Sequence, residues 1–304
     1  YTVNFDSART GVRLNGPVPE WSREDGGEAG LHPSNIHDNA YAIGTLDLTG
    51  DQSILLGPDG PSLGGFVCPV TLAKAELWKM GQLHPGDKVH FQLLNEAQAA
   101  ELREAQEKNI AFDYTAVTLP APVKVNAIDA ILAQGMADDL PYDIRLDGEE
   151  NILVEIGKME LDIALRFRVH ILMETLKTEN LPIIDMTPGI RSLQVHFDCS
   201  RITARKMAEK VEKLLLRLGD IDDIEVPSRI VYLPLSWDDP QTQLAAKRYQ
   251  ETTRPDAPWC PSNPEFIRRI NGLASIDDVR DIVFQADYLV LGLGDVYLGA
   301  PVAT

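Results

Sequence analysis

Leu153-Val154-Glu155-Ile156 reads as a strand and Leu161 to Leu176 as a helix. Pro182-Ile183-Ile184-Asp185 and Ser192-Leu193-Gln194-Val195-His196-Phe197-Asp198 read as two further strands, and Thr203 to Leu218 as a second helix. The first helix sets Leu161, Leu165, Val169, Leu172 and Leu176 on one face, the spacing of a stripe that must be buried. A Pro188-Gly189 turn separates the last two strands, and Gly219 ends the second helix. The order β-α-β-β-α predicts a small sheet covered on one face by two helices, in a unit beginning near Ile152.

Toward the N-terminus the pattern changes. Residues 1 to 93 are rich in Gly and Pro and carry short extended runs: Tyr41 to Leu48, Ser53 to Gly57, Gly65 to Leu72 and, after a Pro85-Gly86-Asp87 turn, Lys88 to Leu93. Ala73 to Trp78 is a short helical candidate among them. This segment predicts a piece of a β-barrel or sandwich. Asn95 to Lys108 is helical and charged, whereas residues 109 to 150 carry Pro120, Pro122 and Pro141 without a clear period and read as a connection. Toward the C-terminus, Arg229 to Leu235 reads as a strand, Asn263 to Ile270 and Asp277 to Gln285 as helices with Ser275 capping the second, and Tyr288 to Leu291 as a strand entering Gly292-Leu293-Gly294-Asp295.

With 304 residues and 44% apolar content, about two domains with ordinary cores are expected. A net charge of −18 argues against a nucleic-acid partner, whose phosphates it would repel. No apolar run approaches the ~20 residues that span a bilayer, so no membrane is expected. Cys68, Cys199 and Cys260 are scattered without a CxxC pair, which points to a reducing, cytoplasmic setting. The first residues lack an initiator Met and an export signal, and the last lack a cap or charged tail; both ends read as cut from a longer chain.

Pro33-Ser34-Asn35-Ile36-His37-Asp38-Asn39-Ala40-Tyr41 is the densest polar cluster. It reads either as a loop presenting amide, carboxylate and imidazole to a small polar substrate or as a turn stabilised by side-chain hydrogen bonds. Gly57-Pro58-Asp59-Gly60-Pro61-Ser62-Leu63-Gly64-Gly65-Phe66 brings backbone close to a ligand with N–H groups for an anion, or simply joins strands by tight turns. It lacks the Gly-Lys-Ser/Thr of a phosphate loop. Tyr297 stands where a dinucleotide fingerprint needs its third glycine, leaving Asp295 as a turn carboxylate or a substrate-facing one. The six histidines show no ligand spacing, so no metal is expected, and no GxSxG or cysteine-nucleophile motif occurs.

Read together, Asn35 to Gly44, Gly57 to Pro69, Leu77-Trp78-Lys79-Met80-Gly81-Gln82-Leu83-His84-Pro85-Gly86-Asp87 and Leu291 to Thr304 resemble the carboxyltransferase region of urea carboxylases and urea amidolyases. Allophanate-hydrolase-like, kinase-inhibitor-type and 5-oxoprolinase subunits share the architecture with weaker motifs. The resemblance implies an α+β fold, with two cyclophilin-like β-barrel portions flanking a small α/β sandwich domain and the second barrel truncated. Residues 1–94 would end the first barrel half, 95–150 connect, 151–227 form the small domain and 228–304 begin the second half. It implies transfer of carboxylate from carboxybiotin to urea, giving allophanate. Biotin would ride on a separate carrier domain, charged with ATP by a biotin carboxylase domain; Lys158, outside any Met-Lys-Met setting, is not its attachment point. On this resemblance Asn39 and Asp295 are the catalytic pair, and His37, Asp38 and Tyr41 join them around urea. Gly64, Gly65, Phe66, Asp59 and Ser62 would face biotin. Guanidine carboxylation, a non-catalytic subunit and a 5-oxoprolinase-type subunit are the alternatives. Guanidinium, a cationic donor-only group, would favour a carboxylate where this chain has Asn39.

Overall fold

The computed structural model describes residues 1–24, 32–114, 116–124, 130–160, 162–219, 221, 224–293 and 301–303. The fold is mixed α and β and divides into two compact units, residues 1–223 with 290–303, and residues 224–289.

The first unit opens with β1 (Thr2–Val3), β2 (Gly11–Asn15), β3 (Asn35–Ala40), β4 (Thr45–Thr49), β5 (Gln52–Leu56) and β6 (Leu63–Thr71). They form an antiparallel sheet in the order β1-β2-β5-β4-β6-β3. Alternation turns Val12 and Leu14 of β2, Leu46 and Leu48 of β4 and Leu55 of β5 into one apolar cluster with Val3. The nine-residue β6 is shared, its first half pairing with β3 and its second with β4. Among the described residues the order is open, with β1 and β3 at its ends, so the expected barrel is represented by an open sheet. A 3₁₀ helix, Lys74–Gln82, follows where a short helix was expected, and then α1, Glu96–Ile110, closed at its start by a reciprocal Asn95–Gln98 capping box.

A second antiparallel sheet contains β7 (Ile131–Ala137), β8 (Leu140–Leu146), β9 (Asn151–Ile156), β10 (Ile183–Pro188) and β11 (Ser192–Phe197), in the order β10-β11-β9-β8-β7. α2 (Ile163–Thr178) and α3 (Ala204–Leu215) pack on one of its faces. Leu165, Val169, Leu172 and Leu176 of α2 meet Ile152, Val154, Leu193, Val195 and Phe197 in a continuous core. Asp162 and Thr203 cap the two helices, each accepting a backbone N–H. The β7–β8 hairpin was not legible in the sequence. Its turn is Asp138-Asp139, both at positive φ (48° and 62°), a geometry usually announced by Asn-Gly, and its second strand contains Pro141. Val290–Leu293 and Pro301–Ala303 pair as β12 and β13.

The second unit is helical: α4 (Pro240–Thr252), α5 (Asn263–Ile270) and α6 (Ile276–Gln285). Ser262 caps α5, one residue before the expected start, and Ser275 caps α6 as expected. α4 begins at Pro240 behind an Asp239 cap, a signal present in the sequence but overlooked. The strand expected at Arg229 to Leu235 is absent among the described residues. The segment is irregular, with Ile230, Tyr232 and Leu233 exposed, because no neighbouring strand pairs with it there.

Candidate functional site

The polar cluster first read as a loop is strand β3, with a bulge in it. Asn35 pairs with Phe66 and Asn39 with Gly64, so Ile36, His37 and Asp38 stand opposite the single residue Gly65. The side chains of His37 and Asp38 lie outside the described residues, as do Gly294, Asp295 and Tyr297.

Tyr41 locks the end of β3 to β6. Its backbone N–H donates to the Ser62 carbonyl at 2.9 Å, and its hydroxyl accepts the Phe66 N–H at 2.9 Å. The same hydroxyl lies near the carboxylate of Asp47, which accepts from Thr49 Oγ1 at 2.9 Å. A Cβ added to Gly64 would lie 2.5 Å from the Tyr41 ring, so the glycine is required by ring packing. Burial raises the Asp47 carboxyl, while the Thr49 and Tyr41 hydroxyls oppose that rise.

Cys68 continues the cluster. Its thiol donates to the Phe66 carbonyl at 3.6 Å, and the Asn39 side chain lies near the sulfur. Burial, followed by the nearby charges of Asp47 and Asp147, pushes this thiol far up, so it stays protonated. Asp147, between β8 and β9, comes from the other sheet and accepts from Gln194 Nε2 of β11 at 2.5 Å. Its carboxyl is raised by burial to about 6. The two sheets meet here, with β3 against β11, whose Ser192 and Gln194 are buried on the face away from the helices.

A cavity of about 430 Å³ has Cys68 and Asp147 on its wall, together with Arg103, Glu149 and Cys199. Ion pairs brace this wall: Lys74 Nζ to Glu150 at 2.5 Å and Arg103 Nε to Glu149 at 3.3 Å, with the Lys74 N–H donating to Glu149 at 2.7 Å. These contacts tie the segment following the first sheet to the loop carrying Asp147.

The glycine-rich turn divides into two parts. Gly57 and Gly60 lie against backbone, since a Cβ there would meet the carbonyls of Arg9 and Thr10 at 2.0 and 2.6 Å. The N–H groups of Gly57, Asp59 and Gly60 donate to Thr10, Arg9 and Gly57 carbonyls. Asp59 forms a two-pronged, solvent-exposed ion pair with Arg9, at 2.5 and 2.9 Å. Only the second part, Ser62 to Phe66, adjoins Asn39 and Tyr41. Asp47, Cys68, Asp147 and Gln194 had not been singled out. A charged residue inside the apolar run Leu46-Asp47-Leu48 was the available signal, because a carboxylate in a strand buried on both faces needs dedicated donors. Among the described residues no three His, Cys, Asp or Glu side chains are grouped to hold a metal ion, and no helix is long and apolar enough to cross a membrane.

Residues 1–93 match the family described as carboxyltransferase domain, subdomain A and B, and residues 142–304 match carboxyltransferase domain, subdomain C and D. The chain is 37% identical over 310 residues to the urea amidolyase of Saccharomyces cerevisiae, covering all of this chain and 17% of that protein. It is 30% identical over 331 residues to a putative urea carboxylase of Emericella nidulans, covering 26% of it. The crystal structure of the Kluyveromyces lactis urea carboxylase superposes with a TM-score of 0.87 at 38% identity, over 100% of this chain and 27% of that one. The chain thus spans 17 to 26% of the length of these curated relatives. With more than half of its residues in a single match, running through the second sheet and its helices, the chain belongs to the carboxyltransferase domain family.

Proposed function

We propose that this chain is the carboxyltransferase portion of a biotin-dependent urea carboxylase, transferring a carboxyl group from biotin to urea to give allophanate. The observation that carries the reading is the placement of Asn39: a partly buried amide following a three-residue bulge, beside the side-chain-free Gly64 and Gly65, in a chain alike over its whole length to enzymes named for urea. Urea offers both N–H donors and a carbonyl acceptor, so an amide and a carboxylate suit it together. Asn39 supplies the amide, and Asp295 is proposed as the carboxylate, with His37 and Asp38 shaping the loop.

The residues fit biotin in one respect. Gly65 stands opposite the bulge, outside the ladder register, and its bare backbone lets a flat ureido ring approach a peptide N–H. Gly64 and Gly65 would hold that ring; the Phe66 N–H is committed to Tyr41. When bound, biotin supplies the activated carboxyl group. The chain itself orients urea, through Asn39, and keeps the strand pair rigid, through Tyr41 and Asp47. The carrier and biotin carboxylase domains are proposed to lie elsewhere in a longer polypeptide, working in a reducing cytoplasm, in keeping with three free thiols. The open sheet of residues 1–94 is proposed as part of a cyclophilin-like barrel, residues 151–227 as the small α/β domain, and residues 228–304 as the start of a second barrel.

Steady-state rates of the full-length enzyme test the reading. Asn39→Asp is expected to lower kcat/KM for urea about tenfold or more and to raise it for guanidine, since a carboxylate suits a donor-only cation. Rates that do not move in opposite directions remove Asn39 from this role.

A further inference from the structure

We propose that the cavity walled by β6, α1 and the loop joining β8 to β9 is a second ligand site, which takes a small organic ammonium ion. The charged end pairs with Asp147, and the apolar body lies against Leu46, Val70, Leu72, Phe91, Leu93 and Leu119. Asn39, Tyr41, Gly64 and Gly65 are not on this wall, so the inference does not depend on the reading of Asn39 as a urea contact.

The carboxylates and the guanidinium on the wall are Glu76, Glu96, Arg103, Asp147 and Glu149. Glu76 is paired with Lys79, Glu96 with Arg205 at 2.9 Å, and Arg103 with Glu149 at 3.3 Å. Asp147 is the exception: no opposite charge lies within ion-pair reach of it among the described residues. Its Oδ2 accepts from Gln194 at 2.5 Å, and its other oxygen has no donor among those residues. Asn95 and Thr203, also on the wall, are occupied in capping α1 and α3, so the helix starts that reach the cavity have their own partners.

Burying a carboxylate without a counter-charge costs stability, yet the fold holds this one firmly. The Asp147 N–H donates to the Asn151 carbonyl at 3.1 Å, and the Glu149 carboxylate accepts the Lys74 N–H at 2.7 Å. Between them Gly148 stands at a φ of 75°, where a Cβ would come within 3.0 Å of Thr71. An anion fixed in this way beside an apolar cavity is preorganised for a cationic partner. With one oxygen committed to Gln194, a two-pronged guanidinium is poorly matched, whereas an ammonium is a compact charge that a single oxygen can hold. A volume of about 430 Å³ and largely apolar walls suit an aryl- or alkylamine rather than a bare cation.

Isothermal titration calorimetry of the full-length enzyme with benzylamine tests the site. Binding is expected with a Kd on the order of 0.1 to 1 mM, the range open to so small a ligand. Benzyl alcohol, the same ring without the charge, and methylamine, the charge without the ring, are each expected to bind at least about tenfold more weakly. Asp147→Asn keeps an acceptor for Gln194 and removes only the charge. It is expected to weaken benzylamine about tenfold or more and to move benzyl alcohol less than about twofold. Benzylamine held no more tightly than either control by the parent enzyme would overturn the inference without recourse to a variant. Equal affinity for benzylamine in the parent and in a folded Asp147→Asn enzyme would overturn it as well.

Discussion

Replacement of Asp147 by Asn should make the protein more stable, and by an amount that depends on pH. The Asp147 carboxyl is raised by burial from an ordinary 3.8 to about 6, with the Gln194 amide opposing the shift from 2.5 Å. The folded state therefore holds a proton that the unfolded state releases. Folding takes up that proton between roughly pH 4 and pH 6, and stability falls as pH rises through this window. The cost of burying the charge is fully present above the folded value and absent below the unfolded one. A displacement of about two pH units corresponds to about 3 kcal/mol at 1.36 kcal/mol per unit. Asparagine keeps an oxygen for Gln194 and carries no charge, so it removes the cost while retaining the bond. Near pH 8 the variant should be more stable by about 3 kcal/mol, a rise in melting temperature of roughly 6 to 12 °C for a unit of this size. Near pH 5 the gain should shrink to about half, because the parent carboxyl is then largely neutral in the folded state. Differential scanning calorimetry of parent and variant at the two pH values measures both quantities. A variant no more stable than the parent near pH 8 would refute the reasoning. So would a gain of equal size near pH 5, which would assign the effect to packing.

Two further perturbations probe the frame of the site. Gly64→Ala places a Cβ 2.5 Å from a tyrosine ring whose hydroxyl is tethered to the Phe66 N–H, and should cost about 2 to 4 kcal/mol; an unchanged thermal melt would show that the ring yields freely. Phe197→Ala empties a fully buried position in the core of the second sheet and should cost about 3 to 5 kcal/mol by chemical denaturation, with a loss below about 1 kcal/mol contradicting the packing described.

The helices were the most legible part of the molecule. In α2 the apolar spacing named Leu165, Val169, Leu172 and Leu176, which are buried, while Leu161 lies outside the described residues; in α6 Ser275 was recognisable as the cap. Both signals are local, repeating within a turn or sitting at one end. Strands β9 and β11 were legible for the same reason, since period-two alternation is written within each strand. Elements whose signal depends on a partner were not. The Asp138-Asp139 turn became visible only once its two strands were seen to pair, and Arg229 to Leu235 has strand composition without a ladder among the described residues.

The candidate site divides along the same line. Asn39, Tyr41 and Gly64 were named through the family resemblance, whereas composition alone left the polar cluster open between a substrate-facing loop and a turn. What the glycine is for, a tyrosine ring 2.5 Å from its missing Cβ, emerged from packing. The pairing proposed between Asn39 and Asp295 lies outside the described residues on one side. By itself, then, the amino-acid order determined where the chain turns into helices, which faces they bury and which family it resembles, because those features are set by residues a few positions apart. Only the tertiary structure decided that the Tyr41 hydroxyl accepts the Phe66 N–H and that Asp147 meets Gln194, 47 residues away. Those contacts depend on strand register and on the approach of one sheet to another, and an unsatisfied buried amide or carboxylate is costly enough that the fold must settle each partner.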